Sequence, residues 1–209
     1  MLLTESILPR SFYTTDACTL AQALLGKELI LNTPAGQISG IISETEAYCG
    51  VTDKASHAYG GKRTARNETM YLCGGFVYVY LIYGIYHCLN ITAAVDGDPQ
   101  AVLIRGMIPH TGISLMADNR LRYGRGKKQV SLLSDAKAVR SITDGPGKLC
   151  TALGITRDCN GWDLCASDAE MYVADIGIVP DSVETMPRVG IDYAGEDKDK
   201  PWRYIGKFL

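Results

Sequence analysis

The segment ISGIISETEAY, residues 38–48, starts with apolar residues and ends with two carboxylates, those of Glu44 and Glu46. Side chains alternate along a strand, so Ile42, Glu44, Glu46 and Tyr48 are predicted to share one face. The apolar lead-in predicts that the strand runs through a core and brings the carboxylates to its far end. Burial raises the pKa of such a group unless donors or a cation compensate, which suits a general base. Taken alone, the segment also fits an edge strand with solvated glutamates.

The residues that follow interleave aromatic, amide, imidazole and basic side chains with glycines. Together they can supply stacking faces, hydrogen-bond donors and a phosphate contact. Taken alone, the tyrosines of segment 76–86 fit core packing, and a lone histidine fits an ordinary loop residue. In chain order the residues are His57, Arg66-Asn67, Tyr78-Val79-Tyr80, Tyr83-Gly84 and Asn90.

In this order the motifs resemble the alkyladenine (3-methyladenine) DNA glycosylase family, from about residue 20 to about residue 204. Three later motifs extend the match: Ala101-Val102-Leu103-Ile104-Arg105, Gly145-Pro146-Gly147-Lys148-Leu149 and Arg188-Val189-Gly190. The resemblance implies a monofunctional enzyme that flips alkylated or deaminated purines out of duplex DNA. It further implies hydrolysis of the N-glycosidic bond by a Glu-activated water, the first step of base excision repair. The bases implied are 3-methyladenine, 7-methylguanine, hypoxanthine and ethenoadenine.

The resemblance also implies a catalytic set. Glu46 activates the water, which Arg105 and the backbone carbonyl of Val189 help to hold. Independently of any family, Arg105 lies in an apolar segment that reads as a buried strand, and a buried guanidinium is costly unless it is paired. Glu46 is the predicted partner, and such a pair would keep the carboxylate ionised. Glu44 is predicted to be structural.

Base binding and DNA binding are implied for further residues. Tyr48 and His57 are expected to stack on one side of the extruded base, and Tyr80 on the other. Asn90 is expected at the pocket floor, where it disfavours bases with an exocyclic amine. The remaining contacts to DNA are expected from Tyr83 as an intercalating wedge, Arg66, and Lys148 at a helix N-terminus that suits phosphate.

The composition bounds the class of protein. At 209 residues with 46% hydrophobic and 21% charged residues, the chain is predicted to form one domain, residues 1–209. The N-terminus does not resemble a signal peptide, and no apolar run reaches the roughly 18 residues of a membrane span. We therefore expect an intracellular protein, cytoplasmic (bacterial nucleoid) or nuclear in a eukaryote, without membrane association. Seven scattered cysteines and three histidines predict reduced thiols, no metal and no cofactor.

Charge is unevenly distributed along the chain. Residues 101–150 hold nine basic and three acidic residues, within a chain whose net charge is −2. A basic middle segment suits a surface that follows phosphates. Its densest run is predicted to be a mobile loop, although a merely solvated loop fits equally: Arg120, Arg122, Arg125, Lys127 and Lys128.

The predicted fold is α+β, a curved, mostly antiparallel β-sheet flanked by helices. Helices are expected at residues 17–25, 112–123 and 145–153, and a long functional loop at 49–71. Strands are expected at residues 27–33, 38–48, 76–86, 91–94, 101–107, 171–176 and 201–205, the first two forming a hairpin. Within 76–86, the Tyr83-Gly84 pair is predicted to be a turn that presents the tyrosine outward.

Two other functions fit the same residues. Glu44 and Glu46 could act as a carboxylate pair in a hydrolase of free nucleosides or glycosides, since same-face positions lie about 6.5–7 Å apart. Alternatively, the chain could bind damaged bases without catalysis. The favoured partner is duplex DNA containing a damaged purine, bound by a monomer.

Overall fold

The computed structural model describes residues 6–124 and 133–208. Its centre is an antiparallel sheet in the order β1-β7-β2-β3-β6-β5-β4, with β9 joined to β3 and β8 joined to β9. The predicted α+β class is confirmed. The strands are β1 Ser6–Ile7, β2 Glu28–Thr33, β3 Gly36–Tyr48, β4 Val77–Ile82, β5 Tyr86–Ala93, β6 Gln100–Thr111, β7 Met171–Asp175, β8 Ser182–Met186 and β9 Arg203–Lys207.

Strand β3 organises the sheet because it changes partner along one edge. Its first half pairs with β2, its residues Glu44 to Glu46 pair with β9, and β6 runs along the other edge throughout. Two register shifts against β6 flank Glu44. Such bulges break the alternation of side chains. Ile42 consequently packs in the main apolar cluster with Ala47, so the prediction that Ile42 shares a face with Glu46 and Tyr48 is wrong.

Helices cover the apolar face of the sheet. They are α1 Arg10–Tyr13, α2 Ala17–Ala23, α3 Ile113–Tyr123, α4 Ala136–Arg140 and α5 Pro146–Leu153. Helix α2 begins where predicted, because the Asp16 carboxylate accepts the Thr19 amide at 3.0 Å. The core forms where α2 and α5 contact β3, β5 and β6. In α3, Met116 is buried but Leu121 is exposed, because five residues turn a helix by about 140° from the buried direction.

The predicted turn at Tyr83-Gly84 divides the segment 76–86 into two strands. β4 ends at Ile82, and β5 starts at Tyr86 and runs in register back along it. At the tip, the Ile85 amide donates to the Ile82 carbonyl at 3.1 Å, and both Tyr83 and Gly84 have positive φ, as in type I′ turns. The structure therefore presents Tyr83 at the end of a β-hairpin.

The loop that follows β3 contains three short 3₁₀ helices: Gly50–Thr52, Tyr59–Gly61 and Glu68–Tyr71. The buried Asn67 amide ties it together by donating to the carbonyls of His57 and Lys62 at 3.0 and 2.7 Å. Among the described residues, no helix has the length and apolar character needed to cross a bilayer. Of the basic run, Arg125, Lys127 and Lys128 lie outside the described residues.

Candidate active site

The Glu46 carboxylate is fully enclosed at the end of β3. Its Oε1 accepts the Val189 amide at 2.8 Å, and its Oε2 accepts the Tyr48 hydroxyl at 3.0 Å. The guanidinium of Arg105 in β6 approaches Oε1 to 3.4 Å. Burial raises the pKa of Glu46, and it outweighs the Arg105 charge and the two donors, which lower it. The predicted pairing of Arg105 with Glu46 is thus confirmed, while burial still disfavours the ionised form.

The neighbouring carboxylate, Glu44, is held by two arginines. Its Oε1 accepts Nε of Arg105 at 2.9 Å and Nε of Arg203 at 2.6 Å. Arg105 therefore bridges both glutamates, with its shorter contact to Glu44. This geometry, in which two guanidinium groups hold one carboxylate oxygen, favours the structural role predicted for Glu44.

The Tyr48 ring forms one wall of a cavity of about 690 Å³. The guanidinium carbon of Arg188 lies 4.8 Å from the ring centroid of Tyr48 and 4.9 Å from that of Trp202. Arg188 also makes a bidentate pair with Asp53, at 2.6 and 2.8 Å. Both side chains of this pair are fully buried. One face of the Tyr48 ring is therefore covered by the Arg188 guanidinium, which Asp53 holds in place.

His57 and Tyr80 form a second wall of the same cavity. Their ring centroids are 4.5 Å apart with planes at 75°, an edge-to-face contact. No base fits between two rings in contact, so the expectation that His57 and Tyr80 lie on opposite sides of a base is corrected. Burial, reinforced by the charges of Arg66 and Lys62, lowers the pKa of His57 to about 4. The ring is therefore neutral near pH 7, and its Nδ1 lies 2.8 Å from the Tyr78 hydroxyl.

Asn90 in β5 lies at the cavity floor and is almost fully buried. Its Nδ2 donates to the carbonyls of Tyr78 and Cys88 at 3.1 and 3.3 Å. Both amide hydrogens are committed to the backbone, so the carbonyl oxygen is the polar atom that Asn90 can present to a ligand.

The predicted DNA contacts lie at the mouth of the cavity. Tyr83 is 79% exposed, and it adopts a φ of 54° that non-glycine residues rarely adopt. Arg66 is exposed, with Nη2 donating to the Leu81 carbonyl at 3.2 Å. Lys148, in the first turn of α5, pairs with Asp144 at 2.6 Å. A side chain at Gly147 would meet the Tyr86 ring at 2.9 Å, so this glycine lets the hairpin pack on the start of α5.

The sequence analysis missed Asp53 and Trp202 as site residues and gave Arg188 no role of its own. Asp53 and Arg188 are 135 positions apart, so no local pattern pairs them. One signal was available, because Arg188 directly precedes Val189 in a quoted motif. Within the described part of the chain, no group of three or more His, Cys, Asp or Glu side chains is arranged to hold a metal ion.

Comparison with known proteins identifies the family. Residues 11–207 match the family described as methylpurine-DNA glycosylase (MPG). A protein of Desulfitobacterium hafniense is 47% identical over 197 residues, covering 94% of this chain and 93% of its own. A protein of Methanocella arvoryzae is 46% identical over 201 residues, covering 96% and 92%. Both carry the name "Putative 3-methyladenine DNA glycosylase".

The match spans the strand that carries Glu46, the aromatic walls, the Asn90 floor and the Val189 segment. The chain therefore belongs to the methylpurine-DNA glycosylase family and is a DNA glycosylase, a hydrolase that acts on N-glycosyl bonds.

Proposed function

We propose that this protein is a monofunctional glycosylase that excises alkylated or deaminated purines from duplex DNA and so initiates base excision repair. Its substrates are 3-methyladenine, 7-methylguanine, hypoxanthine and ethenoadenine. The whole chain acts as one domain and as a monomer. The observation that carries the proposal is the enclosed Glu46 carboxylate, held by two hydrogen-bond donors and an ion pair beside a cavity with aromatic walls.

The cavity suits a planar base removed from the helix. Extrusion costs a few kcal/mol of lost stacking and pairing. Stacking on aromatic side chains, at about 1–3 kcal/mol per base, offsets much of that cost. The base lies between Tyr48 on one side and the His57–Tyr80 wall on the other. Tyr83 fills the gap in the duplex, and Arg66 and Lys148 contact its phosphates.

The Glu46 carboxylate keeps one lone-pair site without a partner among the described residues. An ionised carboxylate offers about four lone-pair sites. Oε1 accepts the Val189 amide and pairs with Arg105, and Oε2 accepts the Tyr48 hydroxyl at one of its two sites. One site on Oε2 remains for the water, whose proton Glu46 accepts as the oxygen attacks the anomeric carbon. The carbonyl of Val189 and the guanidinium of Arg105 help to orient it.

Asn90, at the floor of the cavity, determines which bases the cavity accepts. The Asn90 amide is fixed by two backbone carbonyls, so the side chain cannot swing aside for an extra exocyclic amine. Unmodified guanine is disfavoured for this reason, whereas 7-methylguanine, which has the same amine, is released because its ring is cationic. 3-Methyladenine and 7-methylguanine are cationic in DNA and leave as neutral bases once water attacks. Hypoxanthine and ethenoadenine are neutral, so each has to gain a proton as it leaves.

Single-turnover base release tests the proposal. The substrates are duplexes with one central ethenoadenine or hypoxanthine, and alkylated DNA. We expect alkali-revealed strand cleavage by the wild-type protein and none by Glu46→Gln, which retains binding to the lesion duplex. Cleavage by Glu46→Gln at the wild-type rate would refute the role of Glu46. A covalent adduct trapped by borohydride would refute the water mechanism, because it requires an amine nucleophile.

A further inference from the structure

The Asp53–Arg188 pair is unusual in its enclosure. Among the ion pairs of residues 6–124 and 133–208, it is the one in which both side chains have no exposed surface. The Asp53 carboxylate is completely engaged, since it also accepts the amides of Cys49 and Ala55 at 3.0 Å each. The Asp53 carboxylate is therefore held by Arg188 and by two backbone amides, and it in turn holds the Arg188 guanidinium in place.

Stability alone does not explain such a pair. Removing two charges from water costs several kcal/mol per ion, and apolar replacements of buried pairs are often neutral or stabilising. The Arg188 Nε is, moreover, a buried donor with no partner among the described residues. An unpaired buried donor adds a cost of about 1–3 kcal/mol. The contacts of Arg188 therefore point to a role beyond stability.

The Arg188 side chain contacts the site at two places, and its backbone continues into a third. Its guanidinium lies over the Tyr48 ring, and its Nη1 donates to the carbonyl of Ala47 at 2.9 Å. Ala47 lies between Glu46 and Tyr48 in the strand. The next residue after Arg188 is Val189, whose amide binds the Glu46 carboxylate. One residue thus connects three parts of the site: its side chain reaches the Tyr48 ring and the strand of Glu46, and its backbone leads to the Val189 amide that binds Glu46.

We propose that Asp53 and Arg188 are a positioning pair that fixes the Tyr48 ring for base stacking and the Glu46 carboxylate for attack by water. The inference rests on the proposed function and deepens it. Asp53 immobilises the guanidinium, the guanidinium supports Tyr48, and the backbone at Ala47 and Val189 holds Glu46 in the matching orientation. Trp202 completes the support, since it also lies against the guanidinium.

Arg188→Lys and Arg188→Met separate geometry from charge. Lysine keeps the charge but loses the planar, bidentate group. We expect a roughly 10- to 100-fold slower single-turnover rate constant for Arg188→Lys, because small displacements of catalytic groups have effects of that size. Its pH profile should keep the acid limb of the wild-type enzyme. Arg188→Met should in addition move that limb to higher pH, because the Arg188 charge lowers the pKa of Glu46.

Base stacking is measured without catalysis. In the Glu46→Gln background, the fluorescence of ethenoadenine in a duplex reports its stacking against the protein. We expect Arg188→Lys and Asp53→Asn to reduce this signal at saturating protein. Arg10→Lys should not, since Arg10 pairs with Asp163 outside the cavity. Trp202→Leu provides a variant that leaves the ion pair in place, and it should reduce the signal more than Trp202→Phe.

The outcomes distinguish three cases. The positioning role is supported if the variants have lower rate constants and a reduced stacking signal while the fraction of protein that is active stays at the wild-type value. A reduced active fraction with wild-type rate constants and a wild-type stacking signal overturns it, because the pair is then only structural. If the wild-type protein releases no base, the proposed function fails. The stacking signal of Arg188→Lys against that of Arg10→Lys still decides the inference about Tyr48.

Discussion

Glu46 combines two opposing influences in a single side chain. Burial disfavours its charge, whereas the Arg105 guanidinium, the Val189 amide and the Tyr48 hydroxyl favour it, and burial prevails. A carboxyl whose pKa lies above the ordinary value binds a proton more readily than a solvated one does. It is also a stronger base once ionised, which suits proton abstraction from water.

The raised pKa of Glu46 predicts how the rate constant of base release declines on the acid side of its pH profile. Base release requires ionised Glu46, so the rate constant should fall as the pH decreases through a pKa above the usual value of about 4.3. Tyr48→Phe keeps the ring but removes a donor to the carboxylate, so the limb should move to higher pH by roughly one unit. A cationic alkylated base is the proper substrate, because it needs no protonation to leave.

Tyr193→Phe is the matched control for this profile. Its hydroxyl contacts the Ala55 carbonyl in the same cavity rather than a carboxylate, at 3.4 Å. The limb of Tyr193→Phe should coincide with that of the wild-type enzyme. An unshifted limb in Tyr48→Phe would show that the hydroxyl does not stabilise the ionised carboxylate.

At the scale of elements, the β4–β5 hairpin has buried residues at the end far from its turn and a strained residue in the turn itself. Tyr78 and Tyr80 lie on the cavity side, and Tyr83 projects from the turn with positive φ. A bulky residue in this conformation costs on the order of 1–2 kcal/mol. Strain of this kind persists where the residue is needed for function.

Tyr83→Asn tests the tip. Asparagine tolerates positive φ, so we expect the free energy of unfolding to rise by about 1 kcal/mol. Base release from duplex DNA should slow, because no ring replaces the extruded nucleotide. Release from single-stranded DNA should not change, since no stack has to be filled there.

A suitable control is Ala94→Gly, at the other non-glycine position with positive φ among the described residues. It relieves comparable strain away from the hairpin tip. The ratio of duplex to single-strand rates should stay at the wild-type value. If Tyr83→Asn also kept that ratio, the wedge role of Tyr83 would be rejected.

Sequence reasoning succeeded where a regular period or a charge requirement applied. The start of helix α2 and the β2–β3 hairpin follow from local sequence patterns, and the partner of Arg105 follows from the cost of leaving a buried charge unpaired. The bulges around Glu44 were missed because one extra residue in a strand leaves no clear local pattern. The Asp53–Arg188 pair was missed because folding alone brings its members together.

At the scale of the whole molecule, charge is concentrated rather than abundant. The chain has a net charge of −2, yet Arg66, Arg120 and Lys148 all border the cavity that contains the site. Local positive charge can bind phosphates even when the total is negative, because screening limits each interaction to about 8–10 Å. The acidic total is therefore compatible with binding to DNA.

The salt dependence of DNA binding tests whether the basic residues at the cavity contact phosphates. For Glu46→Gln binding to a lesion duplex, log K should fall linearly with log salt concentration. Adding Arg66→Gln or Lys148→Gln should reduce the magnitude of the slope by about 0.9 for each lost phosphate contact. Lys27→Gln should leave the slope unchanged, because Lys27 pairs with Asp175 beside the opposite edge of the sheet. Equal slopes in all variants would exclude phosphate contacts by Arg66 and Lys148.

The two-sided pairing of β3 separates the site into parts of different local stability. The backbone around Glu46 is bonded to β6 on one edge and to β9 on the other, so its amides open only when the sheet itself unfolds. The turn that carries Tyr83 lies beyond the last strand pair of the hairpin, Ile82 and Tyr86, so it can open while the sheet stays intact. Fluctuations of the turn that we propose meets the duplex are therefore expected to leave the carboxylate in place, so that the tip can yield during a search of DNA while the geometry around Glu46 stays fixed.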